Sequence, residues 1–141
     1  MIAIDTNLLV YAHRSGLPEH RAARKAIEAA SRDARGWGMT QPNVAEFWSV
    51  VTHPASRGGP SPPAEAGKFL RELWRAGAQV WDSAEGFSER FLQAAARLSV
   101  HGPRIFDLQI ALTAFDNGAA EIWTHDSGFV AFPGLRVHDP L

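Results

Sequence analysis

Residues 1–12 read Met-Ile-Ala-Ile-Asp-Thr-Asn-Leu-Leu-Val-Tyr-Ala. Met1 to Ile4 is a short apolar run of the kind buried on both faces of a parallel sheet. Leu8 to Ala12 then suit a helix whose start is capped near Asp5 or Thr6. A strand that passes directly into a helix is half of a βαβ unit, and repeated units of this kind build parallel sheets covered on both faces. The same stretch sets a carboxylate, Asp5, at the carboxyl end of its strand, the edge at which ligands of open α/β sheets gather.

Outward from this unit the pattern recurs. Pro18 to Ala34 is expected as a helix, with Ala22, Ala26, Ile27 and Ala30 inward and Arg21, Arg24, Lys25 and Glu28 in solvent. Gly36 to Thr40, GWGMT, is a second strand, accepted because QPNVAEFWSVV follows as a helix with Val44, Phe47, Trp48 and Val51 in one stripe. Pro54 to Pro63, PASRGGPSPP, is a turn-rich loop within the domain. A helix over Pro63 to Arg75 turns Phe69, Leu70, Leu73 and Trp74 inward, and Ala78 to Trp81 is a third strand. Two helices come next. One lies near Glu85 to Val100 and buries Phe87, Phe91, Leu92, Ala95 and Leu98. The other follows Pro103 and buries Ile105, Leu108, Leu112 and Phe115, stopping at the DNG of residues 116–118. Glu121 to Thr124 and Leu135 to Val137 are the last two strands. The expected architecture is α/β, a three-layer α/β/α sandwich around a mainly parallel sheet of four to five strands.

Composition removes several function classes. At 141 residues, 45% of them hydrophobic and 21% charged, the chain is expected to form one soluble domain over residues 1–141. A formal net charge of −1 excludes a binder that relies on overall positive charge and leaves open a local basic groove. The absence of cysteine removes disulfides, thiolate metal sites and cysteine nucleophiles, leaving oxygen and histidine as ligands. No apolar run reaches membrane-spanning length, and Asp5 interrupts what would be a signal-peptide core, so a cytoplasmic location without membrane association is expected.

Four acids fall just after a strand or in a helix leaving the same sheet edge: Asp5, Glu46, Asp107 and Asp126. Each has a structural explanation. Asp5 can cap a helix, Glu46 can close a capping box with Asn43, Asp107 can complement a helix dipole, and Asp126 can make an Asx turn in HDSG. Together they repel: two carboxylates ~4 Å apart cost about 4 kcal/mol at an effective dielectric near 20. A helix N-terminus returns only ~0.3–1 kcal/mol at an exposed site. A hard divalent cation, Mg²⁺ or Mn²⁺, is the natural partner of such an oxygen cluster, and it also bridges to phosphate oxygens.

The motifs IDTN (4–7), NVAEFW (43–48), IFDLQIALTA (105–114) and WTHDSGF (123–129), closed by FPGLRVHDP (132–140), occur in an order that resembles the PIN-domain family, specifically VapC-type ribonuclease toxins of toxin-antitoxin systems. The resemblance runs along essentially the whole chain. It implies a metal-dependent endoribonuclease with Mg²⁺ or Mn²⁺ held by Asp5, Glu46, Asp107 and Asp126, and Thr6 as a supporting hydroxyl. It further implies an RNA substrate, a protein antitoxin and a homodimer. In one place the sequence departs from the family pattern: the last motif often reads T-x-D-x-D-F, and the second acid here is Gly128, which favours one metal over two.

Twelve of the 14 basic residues are arginine, suited to bidentate phosphate contacts. Arg14, Arg57 and Arg104, near loops and helix ends, are the candidates for gripping RNA. His53 and His125 read as surface or capping residues, and the tryptophans as core or interface. Two other function classes remain. One is a PIN-like module that only binds. The other is a haloacid-dehalogenase-like phosphatase, which needs a second Asp where this chain has Asn7. Neither Gly-rich nucleotide fingerprint is present.

Overall fold

The computed structural model describes residues 1–130 and 132–141. Its elements are β1 (Ile2–Ile4), α1 (Thr6–His13), α2 (His20–Ser31), β2 (Trp37–Thr40), α3 (Gln41–Thr52), α4 (Pro63–Arg75), β3 (Gln79–Trp81), α5 (Phe87–Arg97), α6 (Ile105–Asp116), β4 (Glu121–Trp123) and β5 (Arg136–His138), with one 3₁₀ turn at Gly102–Arg104. The strands form one sheet of order β3-β2-β1-β4-β5, every pair parallel. The first strand of the chain is therefore the middle strand of the sheet.

Alternation along β1 divides the core in two. Ile2 and Ile4 face a cluster built with Leu8, Leu9, Ile27, Met39, Phe47 and Leu70, under α1 to α4. Ala3 faces the other, with Trp81, Ile110, Ala111, Ile122, Phe129 and Leu135, under α6. The expected three-layer α/β/α sandwich is the observed one. Gly38 in β2 is required by the closeness of β3: a Cβ there would stand 2.5 Å from the Gln79 carbonyl oxygen and 2.9 Å from the Trp81 ring.

The expected element boundaries shift where local backbone chemistry overrides periodicity. The second helix begins at His20 and buries Ala23 with Ala26, Ile27 and Ala30, while Ala22 is only half-buried. The helix expected over residues 85–100 is shorter, because Gly86 enters it at φ +73° and Ser99 leaves it at φ +51°. It buries only Ala94 fully, and Leu92 is 63% exposed. Three aromatics expected inside, Trp48, Trp74 and Phe115, are each about 40% exposed. By contrast Trp37 and Trp81 are buried. The capping box of α3 is formed by Thr40 and Asn43, one turn before the Asn43–Glu46 pair read from the sequence.

At the amino end of β4, Glu121 is buried yet fully paired, with Arg35 at 2.8 Å and Arg136 at 2.7 Å. Burial alone would raise its pKa, but hydrogen bonds from the guanidinium groups hold the carboxyl below the usual glutamate value. Among the described residues no helix is long and apolar enough to cross a membrane.

Candidate metal centre at the sheet switch point

In this strand order the chain runs from β1 outward in one direction through β2 and β3, and then returns to the other side of β1 with β4 and β5. The crevice at the carboxyl end of β1 is thus the topological switch point. Three elements deliver side chains into it. Asp5 follows β1 and caps α1, accepting a hydrogen bond from the Thr6 N–H at 2.7 Å. Thr124 follows β4 and donates its hydroxyl to Asp5 Oδ2 at 2.7 Å. Asn43, on the helix after β2, reaches Asp5 Oδ1 at 3.5 Å and Thr6 Oγ1 at 3.0 Å. Asn7 completes the ring, donating to Asp5 Oδ2 at 3.1 Å and to Thr124 Oγ1 at 2.9 Å.

Asp5 is only 6% exposed, and all its partners are neutral. Burial pushes its pKa from 3.8 up to about 6 against the lowering effect of the Thr124 and Thr6 hydrogen bonds, and the negative charges of Glu46 and Asp107 push it the same way. Glu46 Oε2 accepts the Thr6 hydroxyl at 2.6 Å, so Thr6 links the first acid to the second. On the open side, Arg104 Nη1 lies 2.9 Å from Asp107 Oδ2 and 2.5 Å from Asp126 Oδ2. Asp126 also accepts the Gly128 N–H at 2.8 Å, the Asx turn expected from HDSG, and the Arg104 hydrogen bond holds its carboxyl below the ordinary value.

Asp5 is thus within electrostatic reach of both Glu46 and Asp107, and Asp126 joins them through Arg104 and through its N–H to Thr124 Oγ1 at 3.1 Å. The donor set is oxygen only, which suits a hard cation that keeps part of its water shell. The buried, uncompensated Asp5 is the observation that favours a positive occupant. Among the described residues no three Asp, Glu or His side chains stand in a closed metal-holding cluster. Thr6 holds Glu46, and Arg104 stands between the outer pair.

The family model for the PIN domain matches residues 2–135. The chain belongs to the PIN-domain family. This PIN domain is 32% identical over 142 residues to VapC ribonuclease Mb2897 of Mycobacterium bovis, an alignment covering all of this chain and 96% of that one. It is 31% identical over 149 residues to ribonuclease VapC33 of Mycobacterium tuberculosis, covering all of this chain and 99% of that one. Among solved structures it superposes on VapBC2 from Rickettsia felis, bound to a promoter DNA fragment, with a TM-score of 0.71 at 17% identity over 99% of this chain and 98% of that one. The fold also matches Mycobacterium tuberculosis VapC20, a sarcin-ricin loop cleaving toxin, with a TM-score of 0.70 at 12% identity over 92% of each chain.

Other expected residues of the PIN domain are dispersed. Arg14 is committed to the Val51 carbonyl at 2.8 Å and to Ser56 Oγ at 2.5 Å, so it pins the loop after α3. Arg57 is exposed on that loop and lines a cavity together with Tyr11, whose pKa is raised by burial and by Glu19. His53 receives the Ala55 N–H, and His125 pairs with Asp139 at 2.9 Å, both surface roles. Sequence reasoning missed the neutral frame of Asn7, Asn43 and Thr124 as site residues. Their signal was position alone: amides and a hydroxyl at the same strand ends and helix starts as the acids.

Proposed function

We propose that this PIN domain, residues 1–141, is a Mg²⁺- or Mn²⁺-dependent endoribonuclease and the toxin of a toxin-antitoxin pair, acting on RNA in the cytoplasm. The observation that carries this reading is the buried, cation-free carboxylate of Asp5, set at the switch point within reach of Glu46 and Asp107. Ribonuclease names on the curated relatives at about 30% identity over the full length support the same substrate class.

In this reading the four acids Asp5, Glu46, Asp107 and Asp126 form the ion site, with the ion held from the Asp5–Glu46 side and the outer pair bridged by Arg104. When bound, the ion supplies an activated water and a positive charge for the phosphodiester transition state. The chain's own groups do the positioning. Asn7, Asn43 and Thr124 fix both oxygens of Asp5, Thr6 turns Glu46 toward it, and a carboxylate that accepts several hydrogen bonds cannot rotate away. Arg57 is exposed and available to phosphate, whereas Arg14 is tied to the Val51 carbonyl and Arg104 to Asp107 and Asp126. For the antitoxin, a groove of about 590 Å³ between α2 and α4 offers an apolar floor of Ala12, Ile27, Trp37 and Leu73 with a charged rim. The exposed Leu92, Trp48 and Phe106 leave apolar surface for a homodimer.

Purified protein should cut single-stranded RNA in Mg²⁺ or Mn²⁺ and stop in chelator, and Asp5→Asn should lower the rate by roughly 100-fold or more while keeping the fold. Cleavage that continues in chelator, or an Asp5→Asn protein of undiminished activity, would reject this reading.

A further inference from the structure

The open half of the site differs in kind from the buried half. Asp5 and Glu46 meet only neutral donors, whereas Asp107 and Asp126 share one guanidinium, with Arg104 Nη1 at 2.9 and 2.5 Å from them. That guanidinium has room because residue 128 is glycine. A Cβ at this position would lie 2.9 Å from Arg104 Cζ, closer still to its Nη2, and 3.4 Å from Asp126 Oδ1. Gly128 is not among the positive-φ glycines, so its backbone gives no reason for the missing side chain. The space Gly128 leaves open is filled by a positive charge.

We propose that Arg104 is a resident cation: lodged in the space left by Gly128, it takes the position a second divalent ion would need between Asp107 and Asp126, so that the site admits a single ion on the Asp5–Glu46 side. This rests on the metal-dependent reading above. One guanidinium nitrogen, Nη1, donates to both carboxylates, without the dehydration a second Mg²⁺ requires. Arg104 is accordingly a positioning residue, and it acts by holding the outer acids and excluding a second ion.

The test counts ions. Metal-free protein is titrated with Mn²⁺ by calorimetry, with free Mn²⁺ followed by electron paramagnetic resonance, and circular dichroism confirms that each variant is folded. Wild type should bind one equivalent. Arg104→Ala frees the outer acids directly, and Gly128→Ala frees them by pushing the guanidinium out while keeping its charge, so each should bind a second equivalent. Two equivalents on the wild type would overturn the proposal. So would either variant that stays at one equivalent with unchanged affinity. A wild type that binds no Mn²⁺ and cuts RNA in chelator would instead bring down the metal-dependent reading itself, and this proposal with it.

Discussion

The two buried carboxylates of the sheet, Asp5 and Glu121, show how one residue type serves opposite ends. Glu121 sits between two arginines and is held more acidic than usual. Asp5 has no cation and is held less acidic, its pKa raised from 3.8 to about 6. Their pH responses must therefore oppose each other. A raised acid keeps its proton longer in the folded than in the unfolded chain, so stability from Asp5 falls as pH rises from about 4 to about 6 and is constant above. In metal-free protein, lowering the pH from 7 to 5 should shift unfolding free energy toward wild type over Asp5→Asn by about 1 kcal/mol, read from urea titrations. A lowered acid gives the reverse sign. The advantage of wild type over Glu121→Gln should be full above pH 4.5 and shrink as pH falls through the lowered folded value. The acids themselves were legible in the sequence because each follows a strand or opens a helix. What distinguishes them was not, since a partner such as Arg35 or Thr124 is close only once the sheet has brought distant segments together.

At the scale of elements, the strand-helix alternation and most strand positions follow from hydrophobic period, and the structure moves them by only a residue or two. Periodicity assigns one inward stripe to every helix, and here it fails in two directions. Helix α6 is buried on nearly all sides, through Leu108, Ile110, Ala111, Leu112, Thr113 and Ala114, because it lies against the middle of the sheet with α5 outside it. Helix α5, the outer one, buries little beyond Ala94. A stripe cannot tell an inner helix from an outer one. Nor does a glycine in a strand announce its reason, and Gly38 has a specific one in the Gln79 carbonyl and the Trp81 ring. Gly38→Ala should lower stability by about 1–3 kcal/mol through overpacking, seen as a lower urea midpoint at unchanged slope. A neutral outcome would mean that β2 and β3 can part at no cost.

The whole molecule carries a formal net charge of −1, so it cannot hold RNA by general attraction. Arg57 is free to meet phosphate while Arg14 and Arg104 already have partners, so the count is at most three. Binding of a short single-stranded RNA to Asp5→Asn should therefore depend on salt with a logarithmic slope no steeper than about −2, measured by fluorescence anisotropy across a salt series. A slope several times steeper would reveal a basic surface that the net charge conceals. Sheet order adds a constraint in time. The first strand in sequence order, β1, is flanked by β2 and by β4, and Asp5 accepts a hydrogen bond from the hydroxyl of Thr124, 119 positions further on. During synthesis the first acid emerges from the ribosome long before the segment that encloses it, and non-local pairings of this kind form late. A nascent chain lacking residues 121–124 offers Asp5 no Thr124 hydroxyl and β1 no β4 neighbour, so the pocket stays open until that segment has left the ribosome and paired.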